Sequence, residues 1–288
     1  MSVPTLKSIS PFIFDEDKCI DFLMERGILV ALQLCPECNG NVKRHGKQFR
    51  CTRNACRKAF SIFHGSFFSN NQLRCNETMH LAYLWLTGCS SKTIRSHTGH
   101  CKETISAYKR LFRELVASML EEDDIIIGGP SVVVQVDETK LGKRKYNRVH
   151  RVAGAWVVVG VEKTAKRRVF AEVVANRSCE TIEGVLERHI AEGTILHTDV
   201  WKGYSNLSTR FNIEHHTVNH SRWFKDPVTG INTNTVEGTN YAIKRSIEPR
   251  NRTEESLPSR LVEFVWRRKF ANNIWEGFLD ALREVVYT

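Results

Sequence analysis

The sequence predicts an α/β core preceded by two small modules, a metal-stapled hairpin and a helical region. Three observations carry this. Four of the nine cysteines (Cys35, Cys38, Cys51 and Cys56) fall within one short stretch. Apolar residues at helical spacing run from Lys102 to Leu120: Ile105, Tyr108, Leu111, Phe112, Leu115, Val116 and Met119. From Val132 onward, β-rich runs alternate with helical patterns. With 288 residues the chain has room for about two domains, each with its own core.

The elements follow in order. Residues 1–34 form an N-terminal helical segment. Asp15 or Glu16 caps a helix with an apolar stripe of Cys19, Ile20, Phe22 and Leu23, ended by Gly27. Residues 35–62 hold the cysteine module. Residues 72–122 carry a helix over Thr78 to Leu86, a short helix over Lys92 to His97 capped by Ser90 or Ser91, and the long one after Gly99. Helix, glycine turn, short helix, long helix resembles a helix-turn-helix unit. Its cations Lys92, Arg95, Lys102, Lys109, Arg110 and Arg113 face a single acid between 92 and 113, which favours DNA binding over a plain helical connector.

Gly128-Gly129-Pro130 marks a boundary, and residues 130–288 read as the core. Its strands are Val132–Val136, Val152–Val161, Arg168–Val174, Thr194–His197 and Glu214–Val218. Its helices are Cys179–Ile190, Thr235–Ser246 and Glu254–Val285.

Composition narrows the function. The longest apolar run, Val152 to Val161, is half the roughly twenty residues that a membrane span needs. The opening MSVPTLKSIS does not read as a secretory signal. A net charge of +10 predicts a polyanionic partner, usually nucleic acid. An odd number of cysteines without a signal points to reduced thiols and a metal site.

The metal spacing is Cys35-x2-Cys38, twelve residues, then Cys51-x4-Cys56. Two close pairs on facing turns supply four thiolates to one tetrahedral Zn2+, and four protein ligands make the site structural. Gly40 and Gly46 are turn residues of the hairpin between them. Lys43, Arg44, Lys47, Arg50 and Arg53 decorate it, with no acid between 39 and 60. Such a surface suits phosphate contacts.

In the core, Asp137 and Asp199 each stand where an apolar run meets a loop, and Glu237 opens a helix, at spacings of 62 and 38 residues. Ligands of α/β sheets gather at carboxyl ends of strands. Carboxylates suit Mg2+ or Mn2+, and two such ions activate a water or a 3′-hydroxyl. Glu138 adjoins Asp137 but points to the opposite face of the strand, so it ranks second. Lys140, Lys143, Arg144 and Lys145 form a basic loop suited to holding a DNA strand.

The motifs VDETKLGKR, HTDVWKGYSNL, VNHSRWF and NTNTVEGTNYAIKR, with CPEC…CTRNAC…FSIFHGSFF upstream, resemble the DDE transposases of the Merlin superfamily and their bacterial insertion-sequence relatives. The resemblance spans about residues 20–275. It implies an RNase H-like mixed-sheet core after a zinc ribbon, and Asp137, Asp199 and Glu237 as a triad holding two Mg2+ or Mn2+ ions. His220 matches a family position as an auxiliary catalytic residue, and Lys202 is a candidate phosphate contact. The expected function is strand cleavage by water, then strand transfer by a 3′-hydroxyl, at the ends of a mobile element. The partners are double-stranded DNA and a further copy of the chain, at least a dimer when ends are joined. No membrane is involved. The site of action is the nucleus in a eukaryote, or the cytoplasm and nucleoid in a bacterium. The alternative is a host-retained, transposase-derived DNA-binding protein without transposition activity.

Overall fold

The computed structural model describes residues 3–142, 154–200, 204, 213–218 and 230–285. The chain divides into two compact units, residues 1–118 with 270–288, and residues 119–269.

The first unit opens with α1 (Leu6–Ile13) and α2 (Glu16–Glu25). Asp15 caps α2, its carboxylate accepting from the Lys18 amide at 3.1 Å. The strands β1 (Val42–His45), β2 (Gln48–Cys51) and β3 (Ala59–Ser61) form an antiparallel sheet. Gly46, at φ +57°, supplies the left-handed residue of the tight β1–β2 turn. Then come α3 (Cys75–Leu86), α4 (Ser91–Thr98) and α5 (Lys102–Ala117). Ser90 caps α4 and Gly99 ends it in the left-handed conformation, so the chain turns directly into α5. Phe112 of α5 is fully buried, with Trp85 and Phe278 ring centroids each 5.5 Å away.

The second unit begins with the short α6 (Glu122–Ile125) and β4 (Ile127–Gly128). Its main sheet comprises β5 (Val133–Leu141), β6 (Ala155–Glu162), β7 (Val169–Val174), β9 (Ile195–Asp199) and β10 (Glu214–Val218). The order is β10-β9-β5-β6-β7. The β5, β6 and β7 strands run antiparallel, whereas β9 is parallel to both β5 and β10. A small β8 (Ile190–Ala191) pairs with β4. One face of the sheet buries Val134, Val136, Val158 and Leu196 against α7 (Cys179–His189). The other buries Val157, Val159 and Val161 against α8 (Asn234–Ser246) and α9 (Leu257–Lys269). Burial on both faces is why β6 reads as an unbroken valine run rather than an alternation.

Three expectations change. The strand carrying Asp137 does not stop there; Glu138 to Leu141 continue the pairing with β6, ending at Leu141 against Ala155. The expected single helix Glu254–Val285 is broken into α9 and α10 (Ile274–Glu284) by a turn ending at Asn273. The reason is burial. The α9 helix buries Leu257, Leu261, Val265 and Trp266, whereas α10 belongs to the first unit and buries Ile274, Phe278, Leu279 and Leu282. Accordingly the second unit runs over 119–269 instead of 130–288. Its early start reflects the β4–β8 pairing and the Lys269 ammonium, 2.7 Å from Asp124. Among the described residues no helix is long and apolar enough to cross a membrane.

Candidate active site and metal centre

The parallel register of β5 and β9 organises the acidic site. Val133 pairs with Ile195, Val134 with Leu196 and Gln135 with His197. One pleat further, Asp137 and Asp199 take equivalent positions on the same face, because side chains alternate with a period of two. Pairing of β9 with β10 continues to Val218 beside Asp199.

Glu237 reaches this face from the first turn of α8. Two polar side chains fix the helix on the strand. Gln135 is fully buried, and its Oε1 accepts from the amides of Thr235 (2.9 Å) and Val236 (3.2 Å) at the start of α8. Its Nε2 donates to the Asn232 carbonyl at 2.7 Å. Gln135 thus supplies the capping interaction that Thr233, at the N-cap, does not make. One turn beyond Glu237, Asn240 Nδ2 donates to Asp137 Oδ2 at 2.8 Å. Thr233 Oγ1 donates to Glu237 Oε1 at 3.2 Å.

Burial pushes the Asp137 carboxyl up to about 6, and the negative charges of Asp199 and then Glu237 push in the same direction; the Asn240 hydrogen bond opposes them. Asp199 and Glu237 therefore both act electrostatically on Asp137. Hard oxygen donors that repel one another are the donor set a divalent cation relieves.

Glu138 faces the other side of β5. The Tyr204 hydroxyl donates to its Oε1, and Arg177 lies 3.9 Å from its Oε2 while stacking over Trp156 at 4.0 Å. Burial raises Glu138 to about 7. Below the acids, His197 and His216 sit edge to face, 5.7 Å apart. Burial first, then His216, lowers the His197 pKa.

In the first unit the four cysteine sulfurs all lie within 4.8 Å of one another. Cys35 and Cys56 are 3.8 Å apart, and Cys38 and Cys51 are 3.5 Å apart. A Zn–S bond of about 2.3 Å in a tetrahedron separates sulfurs by about 3.8 Å. The four thiols are thus positioned to bind a metal ion. Asn39 and Arg57, just past each pair, take positive φ of 52° and 45°, which folds each turn back on itself.

The cations expected at DNA divide into groups. Arg44 pairs with Asp21 and Asp17, and Lys47 with Glu16 at 2.6 Å, both toward α2. Arg53 donates to the Cys38 carbonyl at 2.9 Å, bracing the metal turn. Lys43 and Arg50 are cross-strand neighbours, both exposed. Lys102 is exposed at the start of α5, and Lys109 lies 3.4 Å from Ser91 Oγ. Lys140 lies over the Trp156 ring at 5.3 Å. Lys143, Arg144, Lys145, Lys202 and His220 lie outside the described residues.

Gln135 and Asn240 were not singled out from sequence. Each carried a signal: Gln135 shares the period-two face of Asp137, and Asn240 stands three residues after Glu237, on the same side of a helix.

The second unit is therefore a mixed sheet with helices on both faces, with Asp137 inside β5, Asp199 at the end of the parallel neighbour β9, and Glu237 on the first turn of α8. The family described as the ISXO2-like transposase domain matches residues 119–269, the bounds of that unit, and the chain belongs to this family. A comparison with curated proteins found no match.

Proposed function

We propose that this protein is an active DNA transposase whose second unit is an RNase H-like core performing metal-dependent phosphoryl transfer at the ends of a mobile element. An antiparallel β5–β6–β7 meander followed by parallel β9 and β10, with helices on both faces, supports the fold reading. The observation that carries the function is the register of Asp137 and Asp199 with Glu237 held above them by Gln135 and Asn240.

Asp137, Asp199 and Glu237 would hold two Mg2+ or Mn2+ ions. When bound, such ions activate a water or 3′-hydroxyl and neutralise charge on the scissile phosphate. The chain's own contribution is positioning. Asn240 fixes the Asp137 carboxylate, Thr233 fixes Glu237, and Gln135 keeps the helix in register with the strand. The cysteine module would hold one structural Zn2+, and with α3–α5 would bind double-stranded DNA through Lys43, Arg50 and Lys102. Joining two ends calls for at least a dimer.

The test is Mg2+-dependent cleavage of DNA carrying the element's terminal repeats, with wild-type protein and Asp199→Ala. Cleavage lost in the variant supports the reading. Binding without cleavage by the wild type would instead favour a retained DNA-binding protein.

A further inference from the structure

A second concavity lies along α8, on the flank turned away from Asp137. It is an open concavity of about 380 Å³ between Arg167, Arg268 and the Asn234, Thr235, Gly238 and Thr239 side of the helix, and among the described residues no carboxylate lines it. Arg268 Nη2 reaches Thr239 Oγ1 at 3.4 Å, but its Nε is buried with no hydrogen-bond partner among the described residues. Burial, then the charge of Arg167, hold the Arg268 pKa below its ordinary value. Two guanidinium groups lining one concavity, the charge of one acting on the other, are stabilised when an anion enters.

Gly238 is an independent observation. Glycine inside a helix costs stability relative to alanine. Here its φ lies outside the positive region, and an added Cβ would meet nothing within 4 Å. Neither backbone conformation nor packing within the described residues calls for glycine. What the missing side chain leaves open is approach to the helix backbone from outside. Tyr241, 67% exposed, and the exposed Arg245 continue the same ridge of α8.

We propose that the cavity between Arg167 and Arg268 seats a backbone phosphate of a DNA strand lying across α8 at Gly238. Guanidinium forks match the geometry of phosphate oxygens. A strand crossing there meets Glu237 within one helix diameter, about 10 Å. The site therefore anchors the strand beside the acidic cluster without touching it. The proposal rests on the transposase reading only in taking DNA as the ligand.

The test uses the full chain carrying Asp137→Asn, so that DNA is bound but not cut. The probes are a duplex with the element's terminal repeats and a set of duplexes each with one phosphate replaced by a neutral methylphosphonate. One substituted linkage is expected to weaken binding about tenfold, roughly the value of one charged hydrogen-bonded contact. Adding Arg268→Gln or Arg167→Gln should abolish sensitivity at that linkage and leave it at the others. Gly238→Leu, which places a side chain in the concavity, should do the same with a melting temperature no lower than the parent's. Inorganic phosphate at matched ionic strength should weaken binding of the unmodified duplex more than of the duplex neutral at that linkage; equal weakening of both would place the effect elsewhere and overturn the proposal. Unchanged sensitivity at every linkage in all three variants would also overturn it, while leaving the transposase reading intact. If the parent protein fails to bind the unmodified duplex, the reading itself falls and the proposal with it.

Discussion

Asp137 and Asp199 each stand two residues past the last paired positions of β5 and β9, Gln135 and His197, on the same face of the sheet, and the charge of Asp199 acts on Asp137. The separation of the two acids along the chain equals the offset between the strands. An insertion or deletion of one residue between the strands that shifted this register would put one acid on each face of the sheet.

Gln135 holds the start of α8, so Gln135→Leu leaves the Thr235 and Val236 amides without their buried acceptor. An unsatisfied buried group costs about 1–3 kcal/mol. The expected result is a lower melting temperature and a larger loss of cleavage, since Glu237 rides on that helix. Gln135→Glu keeps the acceptor and should retain more of both. Equal melting and activity for wild type and Gln135→Leu would refute the clamp.

Burial raises Asp137 to about 6 and Glu138 to about 7 from ordinary values of 3.8 and 4.5. In the metal-free protein both groups bind protons more readily folded than unfolded. Their stabilising contribution is full below about pH 4 and is lost as pH rises through about 6 and 7. For Glu138 the change is on the order of 3 kcal/mol. Denaturant unfolding from pH 4 to pH 8 should therefore show a shallower loss of stability in Glu138→Gln than in wild type. An identical pH dependence would contradict the assignment.

The cysteine module should carry one zinc ion per chain by elemental analysis. Cys51→Ser should release it and unfold the three-stranded sheet, because metal binding in so small a module is folding energy. The sheet of the second unit should survive, as read by residual circular dichroism. Full zinc content in the variant would exclude Cys51 as a ligand.

Lys43 and Arg50 are exposed neighbours across β1 and β2, whereas Arg44 and Lys47 are engaged with acids of α2. Each Lys43→Gln or Arg50→Gln change should reduce the slope of log affinity for DNA against log salt by about 1. Arg44→Gln should leave that slope nearly unchanged and cost about 0–1 kcal/mol of stability, the value of a surface ion pair. Equal slope changes in all three variants would mean that the α2 pairs open on DNA.

Much of this was legible in sequence for physical reasons. Asp199 ends an apolar run and Glu237 stands in a helix's first turn, and both signals are local. The strand through Asp137 was cut short because Glu138 and Lys140 break the apolar run, while their ladder with β6 is a tertiary fact. The helical segment read over residues 1–34 divides into α1 and α2, and α1 forms with Pro11 inside it, capped by Thr5 through the Ser8 amide. The clamp by Gln135 bridges about a hundred residues of sequence, and no local pattern reports such a contact.

The turn between α9 and α10 also sets an order of assembly. During translation, residues 119–269 emerge before the helix that covers Phe112 and Trp85. Domains generally fold as units while the chain is being made. Here the later segment can mature while the earlier one still lacks its closing helix and exposes aromatic surface to chaperones. The transposase-domain unit would be ready first, and the core of the other unit would close only with the last helix.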